Sequence, residues 1–189
     1  MARKIKHQIA IAGWAGTGTT TAAKGVLLRL GEPWRIVRPA SDTFRSLAVA
    51  RYPDRDHSSA LAQFERDACK DLSIDKACDD SVAALAATEE FFIVDARLGA
   101  RFAPDSLRVL LYCNDDALRY QRVASRDVTG LCTAANETID REVSAKQRYL
   151  ELYGVRIEDL EYDLKIDTER TWEADVIDLI VGKFYQLAT

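Results

Sequence analysis

Between Gly13 and Thr21 the chain sets three glycines and four threonines within nine residues, Gly13-Trp14-Ala15-Gly16-Thr17-Gly18-Thr19-Thr20-Thr21. Small residues let successive backbone N–H groups turn inward around an anion, and a helix starting at the end of the run adds partial positive charge. That composition suits a phosphate cradle. Measured against the spacing G-x-x-x-x-G-K-[ST], Gly13 and Gly18 take the glycine positions and Thr20 that of the hydroxyl that ligates Mg²⁺. Thr19 stands where lysine is usual. One oriented donor on developing charge is typically worth about 3 kcal/mol, or roughly 10²- to 10³-fold in rate. A working phosphotransferase with Thr19 therefore needs arginines to replace the lysine.

Asp95 closes the apolar run Phe91-Phe92-Ile93-Val94. At the end of a strand beside the loop its carboxylate would lie near Thr20 and within reach of a hydrated Mg²⁺. Phosphoryl transfer is mostly positioning and charge neutralisation, so arginines arriving from several segments are the feature to seek. Arg45 lies one turn into the helix expected after the second strand, and Arg97 and Arg101 flank the loop after Asp95. Arg119, Arg122 and Arg126 recur along one helix, and Arg141 and Arg148 along the next. A solvated basic face accounts for any one of these taken singly, Arg119 in its first helical turn included.

The elements that must position these groups follow from periodicity. Gln8 to Ala12 is a short buried-strand pattern, and Thr19 to Leu30 a helix closed by Gly31. Pro33 and Pro39 bracket a second strand over 34–38, and Ser41 or Asp42 can cap a helix from Thr43. Residues 60–69 and 73–87 are helical in spacing, with a cap in Asp71-Leu72-Ser73. Strands are expected at 91–94, 107–113 and 162–167. Helices are expected at 117–126, at 137–153 ending on Gly154, and at 172–187 with Trp172, Val176, Leu179, Ile180 and Phe184 on one buried face. A polar segment with Gly130 fills 127–136. Strands alternating with helices predict an open, mostly parallel α/β sheet with ligands at the strands' carboxyl ends.

Four stretches resemble the nucleoside monophosphate kinases, closest to the short archaeal-type cytidylate kinases. They are the loop Gly13 to Thr21, Ser41-Asp-Thr-Phe-Arg45, Asp95-Ala-Arg97-Leu-Gly99, and Arg148 to Thr168 with its Tyr149, Gly154, Asp163 and Asp167. Asp71-x-x-x-Asp75-Lys76-x-x-Asp79 is similar to a further family stretch. The resemblance spans nearly the whole chain, and its tail segment is the most specific part. It implies one P-loop kinase domain over 1–189, three-layered α/β/α on a five-stranded parallel sheet. Within it come a helical acceptor-binding insertion at 41–88 and a short lid at 127–137. It further implies that Ser41 and Arg45 meet the acceptor nucleotide with Asp95 nearby, that Arg97 holds the acceptor's phosphate, and that Arg126, Arg141 and Arg148 close on the transferred group. Gly13, Ala15, Gly16, Thr17, Gly18, Thr19, Thr20 and Thr21 would bind ATP, and Thr20 and Asp95 the magnesium. Thr19 departs from the usual lysine, and Ala96 stands where glycine is common.

With 189 residues, 48% apolar and 30% charged, the chain has the length and make-up of one globular domain. Its net charge of −4 argues against a protein that coats nucleic acid or an anionic membrane. The longest apolar and glycine run, Ile9 to Gly16, is far short of the roughly 18 residues a bilayer span needs. With no secretory leader pattern, a cytoplasmic protein is expected. Four cysteines without C-x-x-C pairing are expected to be buried or idle thiols, and two histidines this far apart are too few to seed a metal site. The function expected is transfer of the γ-phosphoryl group of ATP to CMP or dCMP, by a monomer or homodimer. The alternatives are a P-loop kinase for another small acceptor and a nucleotide binder with little turnover because of Thr19.

Overall fold

Every residue of β1 (Gln8–Ala12) is buried, as a strand covered on both faces requires. The computed structural model describes residues 3–37, 49–54, 67 and 71–188. Ser41, Arg45, and the helices expected from Thr43 and over 60–69 lie outside the described residues. After β1 come α1 (Thr19–Leu30), β2 (Arg35–Val37), α2 (Leu72–Thr88), β3 (Phe92–Asp95) and the single turn α3 (Gly99–Phe102). The chain continues through β4 (Leu107–Tyr112), α4 (Asp116–Asp127), α5 (Leu131–Tyr153), β5 (Leu164–Asp167) and α6 (Glu173–Ala188).

The five strands are all parallel, in the order β2-β3-β1-β4-β5. Since β3 and β4 lie on either side of β1, successive crossovers leave β1 in opposite directions and open a crevice at its carboxyl end. The glycine-rich loop begins there. Alternation along β1 sends Ile9 and Ile11 to the face covered by Ala22, Ala23 and Val26 of α1 and Val176, Ile177, Ile180 and Phe184 of α6. Ala10 faces the other way, with Phe92 and Val94, under Val82 and Ala86 of α2. Two apolar layers thus clamp the strand that feeds the loop.

Local chemistry sets the helix ends. Asp71 caps α2 by accepting from the Ser73 N–H at 3.0 Å, as the sequence predicts, and Asp115 caps α4 through Leu118 N–H at 3.0 Å. Gly154 ends α5 in the left-handed region, φ 65°.

Two expectations are corrected. α5 begins at Leu131, not Glu137: its alanine-rich first turns favour helix and Ala134 is buried, so the break from α4 shrinks to residues 128–130. Along α6, Trp172 is 82% exposed and Leu179 47% exposed. The helix starts only at Glu173, and Ile177 takes the inner position, its side chain filling the space a Cβ on Gly25 of α1 would need. Among the described residues no helix is long and apolar enough to cross a membrane.

Candidate active site

The loop from Gly13 to Gly18 folds on itself through Thr17, whose hydroxyl donates to the Trp14 carbonyl at 2.8 Å and whose N–H donates to the same oxygen at 3.2 Å. Gly16 and Gly18 sit at φ 79° and 87°, where a side chain is strained. Gly16 also lies against the backbone of Arg119, so a Cβ there would collide with it. α1 then starts at Thr19 with Gly18 as its cap, so the first-turn amides of Thr19, Thr20 and Thr21 open onto the loop. In that first turn, the Thr20 hydroxyl donates to Asp95 Oδ2 at 2.7 Å. Parallel pairing sets Asp95 level with Ile11, one residue from the end of β1.

Two arginines of α4 hold the loop from behind. Arg119, 5% exposed, donates from Nε to the Ala15 carbonyl at 2.9 Å and from its two terminal nitrogens to Asp116 and Glu142. A trans peptide points its C=O and N–H in opposite directions, so anchoring the Ala15 carbonyl turns the Gly16 N–H away from Arg119. Arg122 donates to the Gly16 carbonyl at 3.2 Å and to the Thr168 carbonyl at 2.8 Å. Glu142 belongs to α5 and is buried; burial pushes its carboxyl above the usual range, and the Arg119 guanidinium partly holds it down.

Trp14 carries the front of the loop. Its indole N–H donates to Glu158 at 2.6 Å, and Arg97 lies over its ring with the guanidinium carbon 5.3 Å from the centroid. Lys146 Nζ stands 4.9 Å from the same centroid. Burial works against the charge on Arg97, but Tyr149 and the carboxylates of Glu142 and Asp75 outweigh it and raise its pKa.

The tail motif has physical roles. Arg148 donates to Asp75 of α2 at 2.6 Å and to Ser144 at 2.6 Å, and the Tyr153 hydroxyl donates to Asp79 at 2.9 Å. Tyr162 reaches the Ile157 carbonyl at 2.8 Å, and Asp163 accepts from the Arg108 N–H at 2.9 Å. These contacts explain why β5 begins only at Leu164. The Thr168 N–H donates to the Tyr112 carbonyl at 2.8 Å, aligning the segment that Arg122 grips.

Of the residues singled out in the sequence, the loop, Thr20 and Asp95 come together at the carboxyl end of β1. Arg97 and Arg148 lie on the side where α5 meets the loop and α2. Arg126 and Arg141 sit apart, 60% and 52% exposed at their side chains, paired with Asp127 and Glu137 on their own helices. Ser41 and Arg45 are outside the described residues. Glu142 and Lys146 were missed, and Arg119, named among the arginines of its helix, was given no site role. For Arg119 a signal existed: Val123, four residues on, marks the buried face of α4, whereas Arg126 falls beyond it.

The donor set suits the groups a phosphotransferase uses. A hydroxyl and a carboxylate in contact are the hard oxygen ligands that Mg²⁺ prefers, directly or through water, and Gly13 and Gly16 sit where a side chain would collide with Leu111 and Arg119, so only glycine lets the loop backbone pack this tightly. Thr20 and Asp95 fit magnesium, and the loop fits a polyphosphate.

No protein-family model matches the chain. It is 39% identical over 163 residues to the cytidylate kinase of Methanothermobacter thermautotrophicus, covering 86% of this chain and 95% of that protein. It is 34% identical to the cytidylate kinase of Methanosphaera stadtmanae, over 85% and 88% of the two chains. The cytidylate kinase of Archaeoglobus fulgidus is 31% identical over 92% of each. Among solved structures, a gluconokinase from Sinorhizobium meliloti superposes with TM-score 0.56 at 12% identity, covering 98% of this chain and 95% of that one. A shikimate kinase from Bacteroides thetaiotaomicron gives TM-score 0.54 at 12% identity, over 95% and 97%. At such identities the structures speak for the fold, which is that of the P-loop kinases.

Proposed function

This chain belongs to the cytidylate kinase family, and from that premise we propose that it transfers the γ-phosphoryl group of ATP to CMP or dCMP. ATP-dependent phosphotransfer to a nucleoside monophosphate comes with the membership; the cytosine base is supported by the name the relatives share, cytidylate kinase. The observation that carries the reading in this chain is the 2.7 Å contact of Thr20 with Asp95 at the mouth of a braced glycine loop.

In this reading the amides of Gly13 to Thr21 hold the donor phosphates, and Arg119 and Arg122 keep those amides oriented by fixing the loop's carbonyls. Thr20 and Asp95 would hold a magnesium ion, which would supply charge neutralisation on the phosphate oxygens. Ser41 and Arg45 meet the acceptor nucleotide, and Arg97 binds its phosphate. Arg126, Arg141 and Arg148 neutralise the group in transfer. The lid is 127–137, the α4–α5 corner with the first turns of α5; its closure excludes water and keeps ATP from being hydrolysed.

Phosphoryl transfer from Mg-ATP to a panel of nucleoside monophosphates, following both ADP and the new diphosphate, tests this. CMP and dCMP should be the preferred acceptors. A different preferred base would reassign the acceptor, and ADP release with no diphosphate would end the reading.

A further inference from the structure

Thr19 leaves the loop without the ammonium group that usually meets the donor's γ-phosphoryl oxygens. The two α4 arginines that touch the loop do not make up the loss: Arg119 and Arg122 are committed to loop carbonyls, Glu142 and Thr168. An ammonium does lie against the loop: Lys146 Nζ is 4.9 Å from the centre of the Trp14 ring, and Trp14 directly follows Gly13.

We propose, resting on the kinase reading above, that Lys146 replaces the loop lysine in trans, its ammonium moving from the Trp14 ring to the γ-phosphoryl group of ATP as a catalytic residue. Three features carry this. The base of Lys146 is fixed, because Glu142, one turn before it on α5, is tied to Arg119 and through Arg119 to the Ala15 carbonyl. Its resting place is fixed too, since Glu158 holds the Trp14 indole at 2.6 Å. The ammonium can be released, because Lys146 is solvent-exposed and only the half-buried Trp14 ring and the nearby Glu142 carboxylate hold it, so a phosphate can claim it. A lysine stem is long and flexible enough to deliver a point charge to phosphate. In the step itself the bond between the γ-phosphorus and the β–γ bridging oxygen breaks and one to an oxygen of the acceptor phosphate forms. ADP leaves with the electron pair, and Lys146 keeps all its protons.

The test uses the purified full chain as wild type, Lys146→Met, Lys146→Arg, Thr19→Lys, and Thr19→Lys combined with Lys146→Met. Each is assayed for kcat with Mg-ATP and CMP, ATP affinity by calorimetry, and melting temperature. Lys146→Met should lower kcat by about 10²- to 10³-fold with an unchanged melting temperature. Lys146→Arg should keep part of the rate. Adding Thr19→Lys to Lys146→Met should restore kcat by roughly tenfold or more, because both lysines offer charge to the same group. A wild-type kcat in Lys146→Met overturns the proposal, and so does a slow variant that Thr19→Lys does not rescue. A wild-type chain that transfers phosphate to no nucleoside monophosphate would instead overturn the kinase reading, and Lys146's role with it.

Discussion

The Thr20 hydroxyl meets the Asp95 carboxylate at 2.7 Å, joining the first turn of α1 to the end of β3. Register alone brings them together, because β3 pairs with β1 so that Asp95 lies level with Ile11 just before the loop. Asp95→Asn keeps the shape and the hydrogen-bond acceptor but removes the charge. It should lower kcat by about 10²-fold and raise the Mg²⁺ concentration for half-maximal rate, with stability within about 0.5 kcal/mol. Magnesium titrations of ADP formation check this; an unshifted titration would remove Asp95 from the metal.

The buried pair Arg119–Glu142 is the costlier one to break. Arg119→Met leaves Glu142 buried without its cation and frees the Ala15 carbonyl, and should cost about 3–5 kcal/mol of stability. Glu142→Gln keeps an acceptor for Arg119 and should cost less, about 1–2 kcal/mol. Urea unfolding of the two variants gives the order, and equal losses would show that the pair is not what braces the loop.

The loop, the strand alternation and the end of α5 were legible because each depends on short-range chemistry: glycines that tolerate positive φ, apolar runs, Gly154 as a cap. Thr20 and Asp95 were legible as a pair because a parallel sheet converts strand-end positions into neighbours. Arg119 was legible only in part: Val123 marks the buried face it shares, but whether an arginine there meets water or a loop backbone depends on how α4 crosses the sheet. Lys146 and Trp14 meet only because α5 packs on the loop from 132 residues downstream in sequence. Trp172 was misjudged for a related reason: Gly25 on α1 makes room for Ile177, a steric fact no single helix contains.

Asp79 gives a pH signature. Burial pushes its carboxyl from 3.8 up to about 6, with the Tyr153 hydroxyl partly opposing and the nearby carboxylates of Asp75 and Asp80 adding to the rise. A carboxyl that binds its proton more tightly when folded loses stability as pH rises from about 4 through about 6. Above that window the buried charge costs on the order of 2 kcal/mol. Asp79→Asn keeps an acceptor for Tyr153 and should melt higher than wild type at pH 7.5, the two curves converging near pH 4. A constant gap across that range would rule out titration of Asp79 as the cause.

Arg148 and Arg141 lie on the same helix, yet their surroundings separate binding from stability. Arg148 is 13% exposed at its side chain and locked to Asp75, which is equally buried, so Arg148→Ala strands a carboxylate between α2 and α5. Stability should fall by about 3 kcal/mol along with activity. Arg141 is 52% exposed and held by Glu137 one turn away, a pair worth about 0.3–0.5 kcal/mol. Arg141→Ala should therefore leave the melting curve in place and, on the proposed reading in which Arg141 closes with the lid on the transferred group, lower kcat. Melting and steady-state kinetics on both variants decide it. If Arg141→Ala turns over as fast as wild type, Arg141 is a surface residue of α5 and the lid's charge comes from elsewhere.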